Sequence, residues 1–255
     1  MAEPRARRAS TIRRPAGALT HGRPHGWSLA VALSAAVFVL VAAALGAGWL
    51  TSLRTHTTIY TYAGPVRQVN IQLSSGDATI VGSPSPAVEV RRTDRYAFGH
   101  RATERRTAAN GALTISSACP RVVVGSCSAS YEVAVPETAT VVVRTSSGDV
   151  RLEGFRGTAT VRTGSGSVDA EAYCGFGISA ASGSGNLHVA AACAPQFLQL
   201  HTGSGDASAQ VPPGRYRIQA AGVQRHVAGV TSDAKAPFSL DLHSGGGAVT
   251  IGGGL

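Results

Sequence analysis

The sequence predicts an all-β chain: a β-solenoid, or β-helix, of 18–20-residue coils, preceded by one N-terminal transmembrane helix. Three observations predict it. Ser-Gly pairs recur at a near-constant period. The segments between them alternate apolar and polar residues. Gly26 to Leu53 carries no Asp, Glu, Lys or Arg. Composition agrees: aromatic residues are 5% of the 255 and there are 31 glycines, which suits tightly turned β-structure better than packed helices.

Taking the elements in order, residues 1–26 hold six Arg against Glu3 and are rich in Pro and Ala, so they read as a disordered cytoplasmic tail. Residues 27–53 read as the transmembrane helix, since a spanning helix needs roughly 20 apolar residues. Trp27 and Trp49 stand near its ends, where indole rings favour the membrane–water interface. Six Arg precede it and Arg54 alone follows closely, so the positive-inside rule puts the N-terminus in the cytoplasm and residues 54–255 outside. A cleaved signal peptide is the rival reading, although its apolar region is typically ~7–15 residues. Residues 54–255 hold 17 basic and 13 acidic side chains, so the net charge of +9 is partly a property of the tail. No folded basic surface interleaved with aromatics is legible, and nucleic acid is excluded as a partner.

Residues 54–65 read as a polar spacer, and 66–255 as the extracellular solenoid. A first coil lies in VRQVNIQLSSGDATIVG, residues 66–82. Residues 87–131 are less regular. Arg91, Arg92, Arg95, Arg101, Arg105 and Arg106 cluster there with Tyr96, Phe98 and His100. One reading is a solvated edge or cap. The other is a surface on Arg91, Arg92 and Arg95 for an anionic partner, such as a phospholipid head or a wall polymer.

The repeat is carried by Ser75-Gly76, Ser147-Gly148, Ser165-Gly166, Ser184-Gly185, Ser204-Gly205 and Ser244-Gly245. From Gly148 the steps are 18, 19, 20 and then 40 residues, with the missing copy assigned to IQAAGVQRHVAGV. The next position is Asp77, Asp149, Ser167, Asn186, Asp206 and Gly246. That is a turn vocabulary: glycine supplies positive φ, and Asp, Asn and Ser bond the local backbone. Catalysis or calcium binding would need one fixed side chain there; no catalytic, metal or cofactor residue is assigned. Period-2 alternation turns Val141, Val143 and Val161 one way and Arg144 and Arg162 the other. A short coil cannot bury its apolar face alone, whereas stacked coils can. A β-sandwich is the alternative architecture.

Each of two coils ends in a cysteine. Cys174 lies eight residues after Gly166 and Cys193 eight after Gly185. Equivalent positions in stacked coils lie about 4.8 Å apart, within the roughly 4.4–6.8 Å that a disulfide spans. Cys174–Cys193 is therefore expected, with Cys119–Cys127 closing a loop over PRVVVGS. Both suit an oxidising exterior.

At Tyr131, Val133, Val135, Pro136, Val141, Val143, Thr145, Ser146, Ser147, Gly148, Asp149 and Val150 the chain resembles the bacterial putative-adhesin β-strand-repeat family, over roughly 66–255. The resemblance implies a β-solenoid ectodomain, often behind one membrane anchor, with no catalytic residues to carry over. The expected function is a membrane-anchored, non-catalytic adhesion-like binding module of a bacterial envelope, meeting a cell-wall polymer or an envelope protein. An accessory or sensory component of an envelope-stress system is the alternative. A structural scaffold that polymerises through its terminal AVTIGGGL edge is a third reading.

Overall fold

The protein's structure, a computed structural model, describes residues 25–121 and 125–254. The expected cytoplasmic tail lies outside these up to residue 24, as do residues 122–124 of the PRVVVGS loop. The chain divides into two units, 1–47 and 48–255.

Helix α1, His25–Ser52, has no charged residue in its first or last turn. Within it, Val31–Gly48 is long and apolar enough to cross a membrane, and none of that stretch is buried by protein.

Among the described residues the second unit holds twenty strands. In chain order they are β1 Arg54–Tyr62, β2 Gln68–Leu73, β3 Ala78–Ser83, β4 Val88–Tyr96, β5 Thr103–Ala109, β6 Ala112–Ala118 and β7 Cys127–Pro136. Then come β8 Thr140–Ser147, β9 Val150–Glu153, β10 Ala159–Ser165, β11 Val168–Tyr173, β12 Gly177–Ser182, β13 Leu187–Ala191, β14 Phe197–Thr202 and β15 Ala207–Val211. Last are β16 Arg215–Ala221, β17 Gln224–Ala228, β18 Thr231–Ser232, β19 Ser239–Ser244 and β20 Ala248–Gly253.

Each regular coil gives one strand to each of two sheets. Sheet A runs β1-β4-β7-β3-β9-β11-β13-β15-β20-β17, and sheet B runs β18-β16-β19-β14-β12-β10-β8-β2-β6-β5. The expected β-solenoid is the observed fold. Alternate residues of both sheets enter one core: Val141, Val143 and Val161 from sheet B, Val150, Leu152 and Val168 from sheet A. Arg144 and Arg162 face outward, as the alternation requires. Tyr173 lies in the same core, and its hydroxyl, a single donor, sits between the Gly157 and Gly177 carbonyl oxygens at 2.8 and 2.6 Å.

Chain order and spatial order part at both ends. The β2–β3 coil lies between β6–β7 and β8–β9, and the β19–β20 coil lies between β14–β15 and β16–β17. The copy assigned to IQAAGVQRHVAGV is indeed a coil, β16–β17, but it stacks outside the last coil. Within AVTIGGGL, strand β20 therefore offers no open edge: it pairs with β15 on one side and β17 on the other.

Three further expectations change. The spacer 54–65 is largely strand β1, paired antiparallel with β4 from Arg54↔Tyr96 to Tyr62↔Val88. Its alternating threonines and tyrosines are polar but have strand periodicity. Ser244 is also reassigned, because Thr202↔Ser244 and Ala207↔Val249 put Gly247 at the turn position of Gly205. The third change concerns why glycine is needed. Gly76 and Gly148 have positive φ (123° and 140°), but Gly166, Gly185 and Gly205 do not. At Gly166 a Cβ would overlap the carbonyl oxygen of Gly148 in the neighbouring coil, so close stacking selects the glycine there.

The two cysteine pairs stand at disulfide distance, with Cα–Cα of 5.8 Å for Cys119–Cys127 and 4.7 Å for Cys174–Cys193. The register between β11 and β13 shifts between Ala170 and Tyr173, beside Ala172 with its φ of 50°. Cys174 and Cys193 meet just past the ends of those strands.

Candidate functional site

The turn residues are committed to stacking. Asp77 Oδ1 accepts the Asp149 N–H at 3.0 Å, and Asp149 Oδ1 accepts the Ser167 N–H at 2.8 Å. The series continues through Ser167 to Asn186, Asn186 to Asp206 and Asp206 to Ala248. The acceptor therefore serves the next coil's backbone, and local turn bonding is not its role. Any short side chain with an acceptor oxygen suffices, hence Asp, Ser and Asn alike.

Sequence reasoning missed a second ladder. Thr145, Thr163, Ser182, Thr202 and Ser244 are all buried at one register position. From Thr163 onward each hydroxyl donates to a turn glycine of a neighbouring coil: Thr163 to Gly148, Ser182 to Gly166, Thr202 to Gly185 and Ser244 to Gly205. The signal was a Thr or Ser two places before four of the six Ser-Gly pairs, at Thr145, Thr163, Ser182 and Thr202.

The residues proposed for an anionic surface separate. Along β4 the alternation that buries Val88 and Val90 also buries Arg92 and Asp94. Arg92 is 5% exposed, so it cannot belong to an outer surface. Its guanidinium donates to Asp94 Oδ1 through Nε at 2.8 Å, to Glu104 Oε2 at 3.1 Å and to the Ala102 carbonyl at 2.7 Å. Arg101 holds the other Asp94 oxygen at 2.6 Å. Tyr60 and Tyr131 donate to Glu104 Oε1 at 2.8 and 3.1 Å. Burial first, and then the Glu104 carboxylate, push the Tyr60 hydroxyl far above its ordinary pKa, so it remains a neutral donor. Arg106 lies over the Tyr60 ring at 4.2 Å. This network plugs the end of the core that would otherwise open to water, the capping role a solenoid end requires.

Arg91 and Arg95 do face outward, on sheet A. Arg91 pairs with Glu132 at 3.4 Å, its neighbour on β7, and Arg151 pairs with Asp169 at 3.9 Å, its neighbour on β11. Glu89, Glu153 and Glu171 are exposed on the same strands, and Asp77, Asp149 and Asp206 line the adjoining turn ladder. On this face Arg91 and Arg151 are each balanced by a carboxylate on a neighbouring strand, whereas Arg95 is not.

Sheet B's outer face is different. One row of register partners reads Arg105–Ser116–Gln72–Arg144–Arg162–Ala181–His201–His243. Arg105, Arg144 and Arg162, with Gln72, Ser116 and Ser146, line an open groove of about 920 Å³. Among the described residues, none of these three guanidiniums has a carboxylate partner. His201 meets Asp241 at 3.2 Å. The sequence shows that Arg144 and Arg162 share a repeat position; that Arg105 joins them depends on the antiparallel β5–β6 pairing. Among the described residues, no three His, Cys, Asp or Glu gather as a metal site.

Three solved structures resemble this chain at low identity. A Clostridium sporogenes chain described as a putative cell adhesion protein is 12% identical, with TM-score 0.48, over 79% of this chain and 100% of that one. A Bacteroides fragilis putative adhesin is 10% identical, with TM-score 0.36, over 77% and 97%. A Parabacteroides distasonis putative lipid binding protein is 11% identical, with TM-score 0.31, over 77% and 96%. No curated protein matches the sequence. The family model for Toastrack DUF4097 matches residues 50–250, which is nearly all of the solenoid. The chain therefore belongs to the Toastrack DUF4097 family.

Proposed function

We propose that this chain is a single-pass envelope protein in which α1 anchors a non-catalytic, adhesin-like binding module outside the cell. The observation that carries the reading is the division of labour within the solenoid. Inward positions build the core and the hydroxyl ladder, and turn positions join coil to coil. The two broad outer faces remain for other molecules. Two disulfide-distance pairs suit an oxidising exterior, and the six Arg before α1 favour a cytoplasmic N-terminus.

Protease treatment of intact cells tests this. A C-terminal epitope should be removed, an N-terminal epitope should survive, and the mature mass should include residues 27–53. A chain cleaved near the end of α1 and released to the medium would make α1 a signal peptide. Deleting residues 2–24 separates a display module from a signalling accessory: it should leave ligand capture by the ectodomain unchanged.

A further inference from the structure

We infer that the groove on sheet B's outer face, lined by Arg105, Arg144 and Arg162, binds a linear polymer carrying repeated oxyanion groups, phosphate or carboxylate. This names the ligand of the binding module proposed above and rests on that reading only for where the ligand is met.

The argument starts from an unbalanced cost. Arg144 and Arg162 are direct register partners on parallel strands. Neighbouring strands lie about 4.8 Å apart, and like charges directly opposite destabilise a sheet. The next partner in the row is Ala181, so the coil tolerates a neutral residue at that position. Sheet A answers the same problem by placing Glu132 beside Arg91 and Asp169 beside Arg151. Sheet B supplies no acid beside Arg105, Arg144 or Arg162, although Arg106 and Arg215 elsewhere on it do meet carboxylates. An external anion would complete the pattern, and the planar guanidinium fork fits phosphate and carboxylate in a bidentate manner.

The shape selects among anions. Arg105 to Arg162 covers four strand spacings, about 19 Å in all, with Ser116 and Gln72 as neutral hydrogen-bonding groups between them. A single small anion cannot reach both ends. The site is a groove, and none of the exposed large hydrophobic residues lines it, so it lacks the apolar contacts that a bilayer surface would use. A chain of repeated charges laid across the strands satisfies both features.

The test uses the full chain in non-ionic detergent, with Arg5, Arg7, Arg8, Arg13, Arg14 and Arg23 replaced by Ser throughout so that the tail contributes no anion binding. Inorganic polyphosphate and polygalacturonate serve as polymer probes, and vesicles of neutral lipid with one-third phosphatidylglycerol serve as the membrane probe. At least one polymer should bind, more weakly as salt rises. Arg144→Gln with Arg162→Gln should weaken binding at least about tenfold. Arg91→Gln with Arg95→Gln removes the same charge from sheet A and should change it less than about twofold. Unfolding midpoints show whether each variant is folded, and Arg105→Gln, farther along the groove, gives an independent loss of binding. The proposal is overturned if neither polymer binds, if both pairs of substitutions weaken binding equally, or if vesicles bind and polymers do not. None of these readouts depends on membrane orientation, so the topology experiment can fail separately.

Discussion

The outer faces of sheets A and B differ in how their arginines are partnered. On sheet A, arginines sit beside carboxylates on neighbouring strands, as in Arg91–Glu132 and Arg151–Asp169. On sheet B, Arg144 sits beside Arg162, and Arg105 lines the same groove. A parallel ladder places equivalent residues of successive coils side by side, so any charge chosen at one position meets its neighbour. The comparison teaches that a solenoid face is balanced or unbalanced by the choice of residue at a single repeat position.

The buried counterpart of these surface pairs should show the largest effect. Arg92→Ala leaves Asp94 and Glu104 inside the cap without their shared partner, and it should cost about 3–5 kcal/mol. Chemical denaturation reads this directly. A loss below about 1 kcal/mol would mean that the network does not plug the core.

The covalent brace comes next. Cys174→Ala with Cys193→Ala opens a link of sequence separation 19. It should cost about 3 kcal/mol on the loop-entropy model, and reducing the wild type should lower its unfolding midpoint in the same direction. Within the turn ladder, Asp149→Ala removes one inter-coil acceptor and should cost about 1 kcal/mol, whereas Asp149→Asn should recover most of it. On sheet A, Arg151→Ala breaks an exposed pair and should cost no more than about 1 kcal/mol.

Much of this was legible in the sequence. The Ser-Gly period gave the coils, and the alternation about Val141, Val143 and Val161 gave the core. The equal placement of Cys174 and Cys193 anticipated their approach. What escaped were long-range relations. Nothing local distinguishes a coil stacked next in line from one stacked outside its successor, so the positions of β2–β3 and β16–β17 are settled only by which edges pair. Strand β1 was hidden because THTTIYTY is polar enough to resemble a spacer. Arg92 was misplaced although the signal was present: it shares parity with Val88 and Val90, while Arg91 and Arg95 do not. The groove itself was half visible, since Arg144 and Arg162 repeat and Arg105 joins them only through a non-repeating strand.

The most direct measurement converts sheet B to the pattern of sheet A. Arg144→Glu places an acid beside Arg162, as Glu132 stands beside Arg91. The account predicts two opposite changes in one protein: stability rises by about 0.2–1 kcal/mol, and polyphosphate or polygalacturonate binding falls at least about tenfold. Lower stability together with unchanged polymer binding would contradict the claim that the sheet B arginines are held at a cost for a ligand.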